Sequence, residues 1–100
     1  MINAATINNV YNKFATLAAD ADPVMDRNLN SLMMFALDSE HMDFDGDRLT
    51  LAQGAGPLQS VEIERIIGAE DLGSHMAIVL PASILLVNKH TGAVNVSFAE

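Results

Sequence analysis

Apolar residues recur at helical spacing through the first part of the chain, with polar residues on the opposite side. Ile7, Val10, Tyr11, Phe14, Leu17 and Ala18 follow an i, i+3, i+4, i+7 pattern against Asn8, Asn9, Asn12, Lys13 and Thr16, which predicts an amphipathic helix over about 4–19. Asp20-Ala21-Asp22-Pro23 then turns the chain, Asp22 suiting an N-cap and Pro23 the first helical position, where a missing N–H is harmless. A second helix is expected over about 23–38, with the stripe Met25, Leu29, Leu32, Met33, Ala36 and Leu37. Met34 and Phe35 make residues 32–37 apolar all round, the mark of a helix end buried on more than one side.

From His41 the period changes to two. Met42, Phe44, Leu49 and Leu51 alternate with Asp43, Arg48 and Thr50, and Asp45-Gly46 suits a two-residue hairpin turn. A turn there sets Met42 opposite Leu49 and Asp43 opposite Arg48 as a cross-strand ion pair. The first strand block is placed at about 41–52, with Gln53-Gly54-Ala55-Gly56-Pro57 as a closing loop or bulge. Residues 60–67 read as a strand through Val61 and Ile63, although Ile63, Ile66 and Ile67 before Gly68 also fit a short helix. Further strands are expected at about 76–80, 83–88 and 93–98, with Asn88-Lys89-His90-Thr91-Gly92 as the turn between the last two.

Val94, Val96 and Phe98 alternate with Asn95 and Ser97, whereas Ile84-Leu85-Leu86-Val87 does not alternate. A strand apolar on both faces needs two covers, supplied by folded-over chain or by another subunit. The expectation is a single α+β domain over 1–100, an N-terminal helical hairpin packed on a mostly antiparallel sheet or meander.

Charge narrows the function classes. Thirteen Asp and Glu stand against five Lys and Arg, a formal charge of −8 with His neutral. That balance excludes a general nucleic-acid binder, which needs clustered cations to displace counterions from phosphate, and it excludes docking on anionic lipid by charge. Half the residues are hydrophobic and 18% are charged, so the chain is expected to fold. With no Cys there are no disulfides, thiolate metal sites or Cys nucleophiles, which fits a reducing compartment. Met1-Ile2-Asn3-Ala4 lacks the basic and apolar regions of a secretory signal, and the apolar stretch Met76–Val87 is interrupted by Pro81, far short of the roughly 20 residues of a membrane span. No membrane association and a cytoplasmic location are expected.

Candidate chemistry concentrates in Asp43-Phe44-Asp45-Gly46-Asp47, whose alternate carboxylates suit a hard cation. The string is similar to the start of an EF-hand loop, but the sixth position is Arg48 where the bend needs Gly, and the twelfth is Gly54 where a bidentate Glu belongs. It also resembles the metal-chelating string of multisubunit RNA polymerase large subunits. Five residues in a chain this small carry neither that fold nor that reaction. A hairpin accounts for the string directly.

His41, His75 and His90 are dispersed, none at the spacing of a helical zinc pair. Ser31, Ser39, Ser60, Ser74 and Ser83 lie in no Gly-x-Ser-x-Gly elbow, and Gly54-Ala55-Gly56-Pro57 lacks the Gly-Lys-Ser/Thr of a phosphate loop. No catalytic residue, cofactor or metal is expected.

The carboxylates Asp38, Glu40, Asp43, Asp45 and Asp47 fall within one decade, and Glu62, Glu64, Glu70 and Asp71 follow. The first five are the expected contact surface for a basic protein partner, by the electrostatics that draw phosphate to basic grooves. Met34, Phe35, Ile78, Leu80, Leu85 and Val87 are the expected self-association surface of a homodimer. The six Met, three of them at Met25, Met33 and Met34, are read mainly as core, with an adaptable binding surface as the alternative. The leading function is thus a non-enzymatic protein–protein interaction module. The alternatives are an inhibitor from a phage or mobile element that mimics nucleic-acid charge, an adaptor or chaperone for an assembled or secreted partner, and a small enzyme.

Overall fold

The computed structural model describes residues 3–55 and 58–98, which form two helices and two antiparallel sheets. Gly56-Pro57 of the expected loop lie outside the described residues, as do Met1-Ile2, Ala99-Glu100 and the side chains of residues 52–55, 58, 59 and 98. The first helix, α1 (Ala4–Ala15), is capped by Asn3, whose Oδ1 accepts from the backbone N–H of Thr6 at 2.9 Å. It ends earlier than its apolar period suggested. The Thr16 hydroxyl donates to the Asn12 carbonyl, and the Leu17 N–H turns back to Phe14, tightening the chain out of the helix.

The second helix, α2 (Leu29–Asp38), starts six residues later than expected. Asp22 does cap, its Oδ1 accepting from the N–H groups of Val24 and Met25, but only one turn forms. Asn28 then enters the left-handed region at φ 56°, which ends that turn. The Asn28 amide donates to the carbonyl of Ala69 at 3.0 Å, and Ala69 N–H donates to the carbonyl of Arg27 at 3.0 Å. Tertiary pairing decides the helix boundary here, because it gives the backbone partners that a continued helix would forfeit.

A three-stranded sheet holds β1 (Met42–Asp45), β2 (Arg48–Ala55) and β3 (Leu58–Glu62) in that order. The hairpin register differs from the expected one by a shift of the turn. Met42 faces Leu51, Phe44 faces Leu49 and Asp45 faces Arg48, so the loop is Gly46-Asp47, with Gly46 at φ +66° where an L side chain is strained. This register pairs apolar with apolar along one face, which is what fixes it. Asp43 therefore faces Thr50, and Arg48 turns instead to Ser60 and Glu62 on β3. Residues 60–67 are strand only to Glu62, after which Ile63–Arg65 form a single 3₁₀ turn.

The other sheet has β4 (Gly68–Asp71), β5 (His75–Leu80), β6 (Ser83–Asn88) and β7 (Val94–Phe98) in chain order. Gly68-Ala69-Glu70-Asp71 has little strand propensity, and β4 was not expected. It exists because β5 pairs one of its edges while Arg27 and Asn28 satisfy the other. The β6–β7 turn is the expected one, with Gly92 at φ +80° and the Asn88 side chain accepting from the N–H groups of His90 and Thr91.

The central strands β5 and β6 are buried on both faces, and each face has a different cover. Ala77, Val79, Ile84 and Leu86 pack against Val10 and Phe14 of α1. Met76, Ile78, Leu80, Leu85 and Val87 pack against Leu29, Leu32 and Ala36 of α2 and against Met42, Leu49, Leu51 and Val61 of the three-stranded sheet. The class is α+β, with helices packed on a sheet, but the two helices serve opposite faces of it. The second cover is folded-over chain, so the two-faced strands no longer require another subunit. Ile78, Leu80, Leu85 and Val87 lie inside the fold and offer no self-association surface. No described helix is long and apolar enough to cross a membrane.

Candidate functional site

The three histidines sit at separate places in the fold. His41 sits beside Gly92 so closely that a Cβ there would lie 2.6 Å from its Nδ1. Ser74 Oγ is 2.8 Å from His75 Nδ1, a pairing of adjacent exposed residues, while the nearby Asp71 is engaged by Lys89 at 2.8 and 2.9 Å. The Lys89 ammonium and the Gly73 N–H both donate to Asp71 and hold its carboxyl below the usual carboxylate range. A nucleophile, a base and an orienting carboxylate are therefore not assembled around a cleft. Among the described residues no group of three or more His, Asp or Glu is placed to hold a metal ion.

What the fold does assemble is a surface along α2. Its inner side, Leu29, Leu32 and Ala36, is core, but Met33, Met34 and Leu37 remain open to solvent, as do Val24 and Met25 in the turn before it. Leu37 is 80% exposed and Met25 76%. The all-apolar run 32–37 is thus buried on one side only, contrary to its expected double burial. Of the proposed self-association residues, Met34 alone is on the surface. Phe35 packs partly against the core, with the Lys89 ammonium 5.9 Å above its ring.

Three adjoining clefts that share lining residues follow this helix. Ala36, Leu37, Ser39, Glu40, Met42, Asp43 and Phe44 line a depression of about 390 Å³. Phe44 also lines its neighbour, about 260 Å³, with Leu29, Leu32, Met33, Gly46, Ile63 and Ile66. Leu29, Ile63 and Ile66 continue into a third, about 410 Å³, bordered by Ala19, Ala21, Pro23, Arg27 and Glu64. The middle of this groove is apolar, and its β1 end carries two carboxylates.

All five expected partner-binding carboxylates are exposed, and two of them, Glu40 and Asp43, line that end. Asp38 closes α2, Glu40 follows it, Asp43 and Asp45 share the outer face of β1, and Asp47 lies in the hairpin turn. Among the described residues none of the five has a side-chain ion pair or hydrogen bond. Four of the five Lys and Arg have partners elsewhere: Lys13 on Glu70, Arg48 on Glu62 and Ser60, Lys89 on Asp71, and Arg27 on the Ile67 carbonyl; Arg65 lies in the 3₁₀ turn after β3. None of the four partnered cations is paired with a carboxylate of this set.

Sequence reasoning located the carboxylates but not the groove. Met33 and Leu37 belong to the apolar stripe of the expected helix, and nothing in their spacing separates them from Leu32 and Ala36. Phe44 had been given only a place in a strand alternation.

Compared with known proteins, the chain matches no family model, no curated protein and no solved structure.

Proposed function

We propose that this chain is a non-enzymatic protein–protein interaction module that takes a basic partner on the open side of α2. The observation that supports this reading most is the row Met33, Met34 and Leu37, exposed in a chain whose other large aliphatic side chains mostly reach a core. Apolar side chains left in water at this density are characteristic of a docking surface, and unbranched Met adapts to an irregular partner. The neighbouring carboxylates select its charge, because a basic partner gains attraction where an acidic one is repelled.

The same charge argues against the homodimer expected at first. A second copy itself carries a formal charge of −8, so it brings no net attraction to Asp38, Glu40, Asp43, Asp45 and Asp47. A basic partner meets the opposite sign.

The test is quantitative affinity capture from native lysate with the wild-type chain and a Met33→Ser/Met34→Ser/Leu37→Ser variant, at low and high salt. The expected result is a set of basic proteins that depends on all three side chains and thins as salt rises. Identical capture by both chains would contradict the reading.

A further inference from the structure

The three clefts beside α2 adjoin at shared lining residues, Phe44 between the first two and Leu29, Ile63 and Ile66 between the second and third, and their chemistry changes along the line. Met33 lines the apolar middle and Leu37 the acidic end, four residues apart and so on one side of the helix. From this and on the docking reading above, we infer that the groove takes one basic amphipathic helix of about three turns, with an apolar residue seated near Phe44 and its Lys or Arg beside Glu40 and Asp43.

Length supports this occupant. The ten residues of α2 extend about 15 Å at 1.5 Å per residue, which matches three turns of a partner helix laid alongside it. Chemistry supports it as well. Leu29, Leu32, Met33, Ile63 and Ile66 offer an apolar floor for one side of such a helix, while Glu40 and Asp43 stand where its basic side emerges. Arg27 and Glu64 at the far end balance each other in sign and select nothing strongly.

Two other occupants fit less well. An extended peptide added to the edge of β1 would meet a strand of only four residues whose outward side chains are Asp43 and Asp45, a short charged edge of the kind that resists strand addition. A second copy of the chain, at a formal charge of −8, lacks the net positive charge that the acidic end attracts.

The probe is a fluorescein-labelled Leu/Lys peptide of about 14 residues with leucines at i, i+3, i+4 and i+7, followed by fluorescence anisotropy. Its controls are the same composition with the leucines scrambled and a Leu/Glu peptide of the original pattern. The patterned Leu/Lys peptide is expected to bind about tenfold or more tighter than either control. Met33→Ser/Leu37→Ser should weaken it about tenfold. Glu40→Gln/Asp43→Asn should weaken it about threefold and flatten its salt dependence. Circular dichroism confirms that each variant folds.

Equal binding of the scrambled peptide, or no effect of the Met33/Leu37 variant, overturns the inference. So does doubling of the mass in light scattering when the probe is absent, lost on Leu37→Ser, because the occupant is then a second copy. If lysate capture depends on the α2 face while the patterned peptide does not bind, the helix is the wrong occupant and the module reading stands. If neither depends on that face, both fail.

Discussion

α1 and α2 are amphipathic helices of similar length that cover opposite faces of one sheet, and they spend their apolar residues differently. α1 directs Val10 and Phe14 into the sheet and leaves mostly polar side chains in water. α2 needs only Leu29, Leu32 and Ala36 for its cover, yet carries Met33, Met34 and Leu37 besides. An apolar residue that adds nothing to burial is not explained by folding. The contrast separates what holds the fold together from what is free to meet a partner.

Breaking the α1 side should have the largest effect. Phe14 is nearly fully buried, and Phe14→Ala should destabilise the fold by about 3–5 kcal/mol in urea titration. The next largest comes from the residue that makes room for it. A Cβ on Gly68 would lie 2.1 Å from Phe14 Cγ, so Gly68→Ala forces the ring out of place and should cost about 1–3 kcal/mol. The two sites are coupled, and in a Phe14→Ala background the same Gly68 change should lose most of its penalty.

Asp71 gives a smaller, pH-dependent effect. Its folded pKa is lowered by Lys89 and by the Gly73 N–H, so its contribution is full above the ordinary carboxylate pKa of about 3.9 and is lost as pH falls through the lower folded value. Because the pair is substantially exposed, Asp71→Asn should cost less than about 1 kcal/mol at pH 7, and the difference from wild type should shrink in acid. The smallest effect belongs to the open side of α2. Met33→Ser/Leu37→Ser should change stability by no more than about 0.5 kcal/mol, despite altering two large apolar residues.

Periodicity was a good guide wherever one face was buried and the other wet, as in α1 and β7. It also marked β6 as a strand with two covers, although which chain supplied the second was settled only by the way β1–β3 fold across. Local pattern failed where distant backbone groups decide the outcome. Asn28 ends the turn because of Ala69, and β4 is a strand because of Arg27 and β5, so neither position carries a local signal. The hairpin register turned on which of two glycine-containing turns let Phe44 meet Leu49, a choice made by cross-strand packing. As for the site, five carboxylates were legible as a cluster, but the groove beside them was not. Met33 and Leu32 are neighbours of the same character, yet Leu32 is buried against both sheets while Met33 stays half exposed.

The distinction between the two helices is most directly tested by methyl NMR of the chain labelled at methionine, titrated with the patterned Leu/Lys peptide. Met33 lines the groove, Met34 is open beside it, and Met76 is buried between the sheets. The account predicts progressive shifts of the Met33 and Met34 methyl signals while Met76 holds still. A Met76 shift as large as theirs, or no shift at Met33, would contradict it.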